Sequence, residues 1–210
     1  PERAPLRLTT SAQKRRLLEE QGVDALAVVE FDAEIARTSA ARFVEELLVG
    51  RMAVREVVVG KRFSFGHARG GSLVYLEERG GEMRFAAHGV DEVLHGGEAI
   101  SSTRIRGAVA RGEVEAAREM LGRPFAVEGV VGDGEGRGRE LGWPTANLMA
   151  DNELFPDDGV YITEARLEGE SASRPSVTNV GTRPTFGDTA GRQIAAHLID
   201  FDADLYERRM

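Results

Sequence analysis

The chain has 210 residues, with 35 Asp plus Glu against 27 Lys plus Arg and a formal charge of -8. Its 41% hydrophobic content is enough to bury a core, which excludes disorder as the whole description. The acidic balance argues against nucleic acid as a partner, no apolar run approaches the ~20 residues of a membrane span, and the absence of cysteine removes disulfides and thiolate metal sites, so a cytoplasmic enzyme or binding protein is expected. Lys14 and Lys61 are the two lysines, and neither lies in a GxxxxGK[ST] loop, which excludes a P-loop NTPase. The sequence begins at Pro1 and ends at Met210 after a charged tail, and reads as a fragment.

In chain order, Thr10 and Gln13 predict a capping box for a helix over 11–21, with Leu17 and Leu18 as its apolar patch and Gly22 closing it. The apolar run Ala25 to Phe31 predicts a strand. Phe43, Val44, Leu47 and Leu48 recur at helical spacing up to Gly50, and Val54 to Val59 predicts a further strand. Gly60 to Ser72, rich in glycine and aromatics, predicts a loop, and Leu73 to Leu76 with Met83 to Ala87 predicts a strand pair. After the hydroxyls of Ser101 to Thr103, two helices are expected, split near Gly112 and ending at Gly122.

From Pro124 the pattern changes to short β-rich runs: Phe125 to Val131, Thr145 to Leu148, Val160 to Leu167, Ser176 to Val180 and Gln193 to Ile199. Such runs between turn clusters predict a small antiparallel barrel. Residues 1–122 carry 18 basic and 19 acidic side chains and the remainder 9 and 16, which supports a boundary near Arg123. The expected fold is therefore α/β plus all-β, with an α/β domain over 1–122 and a β-barrel domain over 123–210.

Two runs could carry chemistry. Ser101, Ser102, Thr103, Arg104 and Arg106 stand at a helix start, where backbone N–H groups, hydroxyls and guanidinium groups can converge on an anion. A polar N-cap followed by exposed arginines accounts for the same residues. In GDGEGRGRELGWPTAN, Gly132 to Asn147, a glycine-rich flap precedes Thr145 and Asn147 at i and i+2, which share one face of a strand. Two hard oxygen donors side by side suit Mg2+ shared with nucleotide phosphates. A turn at Trp143 and Pro144 with two ordinary polar strand residues is the other reading.

VVVGKRFSFGHARGG, ISSTRIRGAVARGEVEAAREMLGRPF, GRGRELGWPTANL, DDGVY, NVGTRPTFG and HLIDFDADLY occur in this order. Together they make the chain resemble the bacterial bifunctional riboflavin kinase and FMN adenylyltransferase family, also called FAD synthetase, over essentially its whole length. The resemblance implies a Rossmann-like nucleotidyltransferase module followed by a six-stranded flavokinase barrel. It implies a kinase that moves the γ-phosphoryl group of ATP to riboflavin and a second module that adenylylates FMN to FAD. Carried over, Thr145 and Asn147 hold Mg2+ and ATP phosphates under a flap containing Gly136 and Gly138. Ser102, Thr103 and Arg106 contact ATP phosphates in the first module, and Gly60, Phe63, Phe65 and Gly66 belong to its flavin and nucleotide loop. The implied partners are small molecules, riboflavin, FMN and ATP, with neither nucleic acid nor membrane.

The sequence departs from that family at four places. It has no HxGH motif, its histidines His67, His88, His95 and His197 standing singly, so this chain is not expected to make FAD. Arg62 stands where the family has Asp or Asn. The family's Glu that activates the ribityl hydroxyl lies two positions before the strand histidine, and here that position is Ala195. The family continues past DLY with a strand and a helix, so a barrel edge left unpaired or paired abnormally and a weakened second domain are expected. These departures leave two alternatives, a catalytically impaired flavin or nucleotide binder on the same scaffold and a packing or oligomerisation module.

Overall fold

Two groups of residues pack as separate units in the computed structural model, which describes residues 4–132, 145–182 and 192–210. Ala25–Ala99 form one unit, and Pro1–Asp24 with Ile100–Met210 form the other. Packing thus divides the chain differently from a cut at residue 122. The reason is apolar: Ile105, Ala108, Val109, Ala117 and Met120 bury themselves around Leu154, with Leu8 and Phe125 against them. Burial of a full aliphatic side chain contributes ~1.5–3 kcal/mol, which ties these segments to the second half of the chain.

Helix α1, Ser11–Glu20, starts as the sequence predicts: Thr10 Oγ1 accepts from the Gln13 N–H at 3.1 Å and Gln13 Oε1 accepts from the Thr10 N–H at 2.8 Å. Leu17 and Leu18 are half-buried, and the buried residue of α1 is Gln13, 2% exposed. Its Nε2 donates to the Ala126 carbonyl at 3.1 Å and its Oε1 accepts from Asn152 Nδ2 at 3.1 Å, while Asn152 Oδ1 accepts from the Glu128 N–H at 2.9 Å. Polar groups can be buried here because each finds a partner.

The Ala25–Ala99 unit holds α2 (Ala33–Arg37), α3 (Ala40–Arg42), a π-helix over Phe43–Arg51, β1 (Glu56–Gly60), β2 (Ser64–Phe65), β3 (Gly71–Ser72), α4 (Leu73–Met83), β4 (Ala86–Val90), β5 (Leu94–His95) and β6 (Glu98–Ala99). The strand expected over Ala25 to Phe31 does not form; Val28 is 84% and Phe31 79% exposed, and no strand among the described residues offers this run a partner. Strands β1 and β4 pair in parallel, Val58 opposite His88. Leu73 to Leu76, expected as the first of a strand pair, lie in α4 instead, while the second run, Met83 to Ala87, overlaps β4; Ser72 Oγ caps the Tyr75 N–H at 3.2 Å, and Leu76 and Gly80 turn inward. Val44, Phe65, Leu76 and Phe85 form the core of this unit.

In the other unit, α5 (Ser102–Ala110) and α6 (Val114–Leu121) follow the expected split, with Gly112 at φ 73° and Gly122 at φ 69° where the chain needs a left-handed turn. Among the described residues it also holds β7 (Gly129–Gly132), β8 (Ala146–Ala150), β9 (Gly159–Ala165), β10 (Arg174–Thr182) and β11 (Arg192–Leu198). They form one antiparallel sheet in the order β7-β8-β11-β10-β9. Among the described residues the sheet ends at β7 on one side and β9 on the other. The β7 edge is nonetheless occupied: Gly129 exchanges both backbone hydrogen bonds with Met210, 3.0 and 3.1 Å, and Val131 accepts from Glu207 and donates to Arg208.

Burial alternates strictly along the strands. Val131, Ala146, Leu148, Ser176, Thr178, Val180, Ile194, Ala196 and Leu198 lie on the covered face. Asn147, Val177, Asn179, Gln193, Ala195 and His197 point the other way by the period of two.

Candidate active site

The open face of the sheet carries Asn147 and the Ala195 position. Asn147 on β8 is the direct partner of Ala195 on β11, and Ala195 is in turn the partner of Asn179 on β10. Gly132 lies opposite Asn147 on its other side. A row of two amides therefore flanks a methyl group, with a backbone-only position beyond. Partners in a row have Cβ atoms about 4.5–5.5 Å apart, within reach of one small reacting group.

Gln193 stands two residues before Ala195 on the same face, and its Nε2 donates to Asn147 Oδ1 at 3.0 Å. Thr145 precedes β8 and is exposed. The ends of β10 and β11 are held by Asp158: its Oδ1 accepts from Arg192 Nη1 at 2.7 Å and its Oδ2 from Thr182 Oγ1 at 3.2 Å. Arg192 Nη1 also donates to the Pro156 carbonyl at 2.8 Å. This brace keeps the β10–β11 register that sets Asn179 beside Ala195. Gly136 and Gly138 lie outside the described residues.

The donor chemistry fits Mg2+ only as a shared ion. The described residues contain no group of three or more His, Asp or Glu that could hold a metal. Thr145 and Asn147 contribute neutral hard oxygens, so the charge of the ion must be balanced by nucleotide phosphates.

The residues carried over for the other module fall in different units. Ser102 and Thr103 are exposed at the start of α5, where Ser101 Oγ caps the Arg104 N–H at 3.2 Å. Arg106 donates through Nε to the Leu6 carbonyl at 2.6 Å, so part of its guanidinium fork is engaged by the N-terminal segment. In the Ala25–Ala99 unit, Phe65 is 8% exposed and packs on Phe43, Tyr75 and Phe63, whereas Phe63 is 41% exposed. Gly66 has φ 73°, and a Cβ there would lie 2.6 Å from the Ala40 backbone nitrogen. Gly60 ends β1 with open space beside it. Arg62 pairs with Glu92 at 3.2 Å. Of the histidines, His67 Nδ1 contacts the Ala36 carbonyl at 3.2 Å and His88 stands 3.6 Å from Glu56.

A family model described as riboflavin kinase matches residues 121–210, and one described as FAD synthetase matches residues 1–104. The bifunctional riboflavin kinase/FMN adenylyltransferase of Pseudomonas fluorescens is 36% identical over 210 residues, 100% of this chain and 67% of that protein. The chain belongs to that bifunctional family. The protein of the same description from Escherichia coli K12 is 39% identical over 209 residues, 100% of this chain and 66% of the relative, and the one from Listeria monocytogenes is 34% identical over 95% of this chain and 62% of the relative. The chain thus spans about two thirds of the length of these relatives. Among solved structures, one described as a macrolide-efflux protein from Streptococcus pneumoniae matches with TM-score 0.87 and 29% identity, covering 97% of this chain and 65% of that one. No helix among the described residues is long and apolar enough to cross a membrane.

Sequence reasoning singled out Thr145, Asn147 and the Ala195 position but not Gln193 and Asn179, which the structure sets on the same face as Asn147 and Ala195. Parity along β11 places Gln193 on the face of Ala195, and that signal was available. The pairing of Asn179 with Ala195 depends on cross-strand register, which one strand's sequence does not contain.

Proposed function

We propose that the sheet-containing unit phosphorylates riboflavin to FMN with Mg·ATP. The observation that carries this reading is the row on the open face of the sheet: Asn147, within hydrogen-bonding reach of Gln193, stands directly opposite Ala195, with Asn179 beyond. Family membership supplies the substrate class.

Thr145 Oγ1 and Asn147 Oδ1 would hold Mg2+, which supplies charge neutralisation across the β- and γ-phosphate oxygens. The terminal ribityl hydroxyl oxygen attacks the γ-phosphorus. The bond from phosphorus to the β–γ bridging oxygen breaks, its electron pair leaving with ADP. The hydroxyl proton passes to water, because the methyl group at Ala195 offers no acceptor. Phosphoryl transfer through a loose transition state relies chiefly on positioning and charge stabilisation, so the reaction proceeds slowly rather than not at all.

The adenylyltransferase activity of the family would use Ser102, Thr103 and Arg106 on phosphates and Gly60, Phe63, Phe65 and Gly66 at the flavin and nucleotide. Barrel closure belongs to the same reading: Arg209 lies in the segment hydrogen-bonded to β7, and its carbonyl accepts from the Glu168 N–H just past β9 at 2.9 Å.

The test is FMN formation, separated by chromatography, from riboflavin and Mg·ATP. FMN from the chain and none from its Asn147→Ala variant supports the proposal. No FMN from either the chain or its Ala195→Glu variant overturns it.

A further inference from the structure

We infer that Gln193 is a positioning residue for Asn147, holding its side-chain amide in one orientation so that Oδ1 presents its second lone pair to the magnesium of Mg·ATP. The inference rests on the kinase reading of the site, which it deepens. An amide oxygen has two lone pairs and accepts two bonds. Gln193 Nε2 takes one of them at 3.0 Å. Without that donor, the amide of Asn147 turns about its last side-chain bond, a broad two-fold torsion, and directs its NH2 group at the cation for part of the time. An NH2 hydrogen facing a cation is repelled, so the cost appears in metal-dependent binding.

The surroundings make Gln193 the group suited to this. Across β10 its partner is Gly181, which has no side chain to hold it on that side. The residue opposite Asn147 itself is Ala195, whose methyl group cannot hydrogen-bond to the amide. The donor therefore reaches Asn147 along the diagonal, from two residues back on β11. Outer partners that fix the orientation of metal ligands typically account for about 10- to 100-fold in metal affinity.

The test is calorimetric titration of ATP into the whole chain, with Mg2+ and with chelator, comparing the unmodified protein with Gln193→Met and Asn147→Ala. Methionine keeps the length of glutamine and loses the donor. Gln193→Met is expected to weaken Mg·ATP roughly 10- to 100-fold and to leave metal-free ATP unchanged, a split that general damage to the sheet would not produce. Gln193→Ala, at a partly open position on the sheet, repeats the measurement should the methionine variant fold poorly. Unchanged Mg·ATP affinity in both Gln193 variants, where Asn147→Ala removes the metal-dependent gain, overturns the inference and spares the kinase reading. If Asn147→Ala removes no such gain, both fall together.

Discussion

Ala195 stands directly opposite Asn147 across the β8–β11 pair, its side chain on the same open face of the sheet. A carboxylate placed there would lie beside the amide proposed to hold Mg·ATP and could take the proton of the attacking hydroxyl. Ala195→Glu is therefore expected to raise the rate of FMN formation about 10²–10⁴-fold, the usual contribution of a general base. The variant's rate should also rise with pH through the titration of the new carboxyl group, a limb absent from the unmodified chain. Equal rates and equal pH profiles would exclude a base at this position.

Asn147→Ala and Thr145→Ala are expected to abolish Mg2+-dependent nucleotide binding while leaving the unfolding midpoint within about 1 kcal/mol of the parent. Asn147 is half-buried on the open face and Thr145 is exposed, so neither supports the core. Calorimetric titration and urea unfolding on the same samples check the two halves of this expectation.

The Gln13–Asn152 contact joins α1 to the turn after β8, at 3.1 Å and buried. Asn152→Ala strips Gln13 of a donor and the Glu128 N–H of an acceptor, so a loss of about 1–3 kcal/mol is expected. Because α1 packs with the sheet, its helical signal should disappear together with the sheet's in denaturant. A separate, earlier loss of α1 in the parent protein would contradict this packing.

Glu170 accepts from Arg174 and from Arg208, and the hydrogen bond from Arg174 is the main cause holding its carboxyl below the ordinary carboxylate range. The folded state thus binds this proton less readily than the unfolded one. Its contribution is complete above the unfolded value and is lost as pH falls through the lower folded value. Unfolding midpoints measured against pH should fall on the acid side, and less steeply in Glu170→Gln.

Gly66→Ala is expected to destabilise the Ala25–Ala99 unit by more than about 1 kcal/mol. The backbone has φ 73°, and the added Cβ would meet Ala40 backbone atoms at 2.6 and 2.8 Å. Thermal unfolding checks the effect. Gly22, also at positive φ but with open space around it, should cost less when replaced.

Local chemistry was legible wherever a neighbour in sequence satisfies the backbone. The Thr10–Gln13 box, the hydroxyl before α5 and the glycines at 112 and 122 act within one turn, and the structure forms α1, α5 and α6 almost where they predict. The alternation of the β-rich runs placed Asn147 and Ala195 on strands. Leu73 to Leu76 misled because their apolar run suits a short strand as well as a helix, and the Ser72 cap decides for the helix. Ala25 to Phe31 misled because a strand needs a partner that its own sequence does not supply.

The sequence by itself determined the family, the hard-oxygen pair Thr145 and Asn147, and the absence of a carboxylate at 195, because residue identity and i, i+2 spacing are local facts. Tertiary structure alone decided that α1, α5 and α6 pack with the sheet, and that Asn179, Ala195 and Asn147 form one row with Gln193 bonded to Asn147. Those relations arise from strand register and from burial between distant segments. Each depends on free energy shared by residues up to 139 apart in the chain, as Gln13 and Asn152 are.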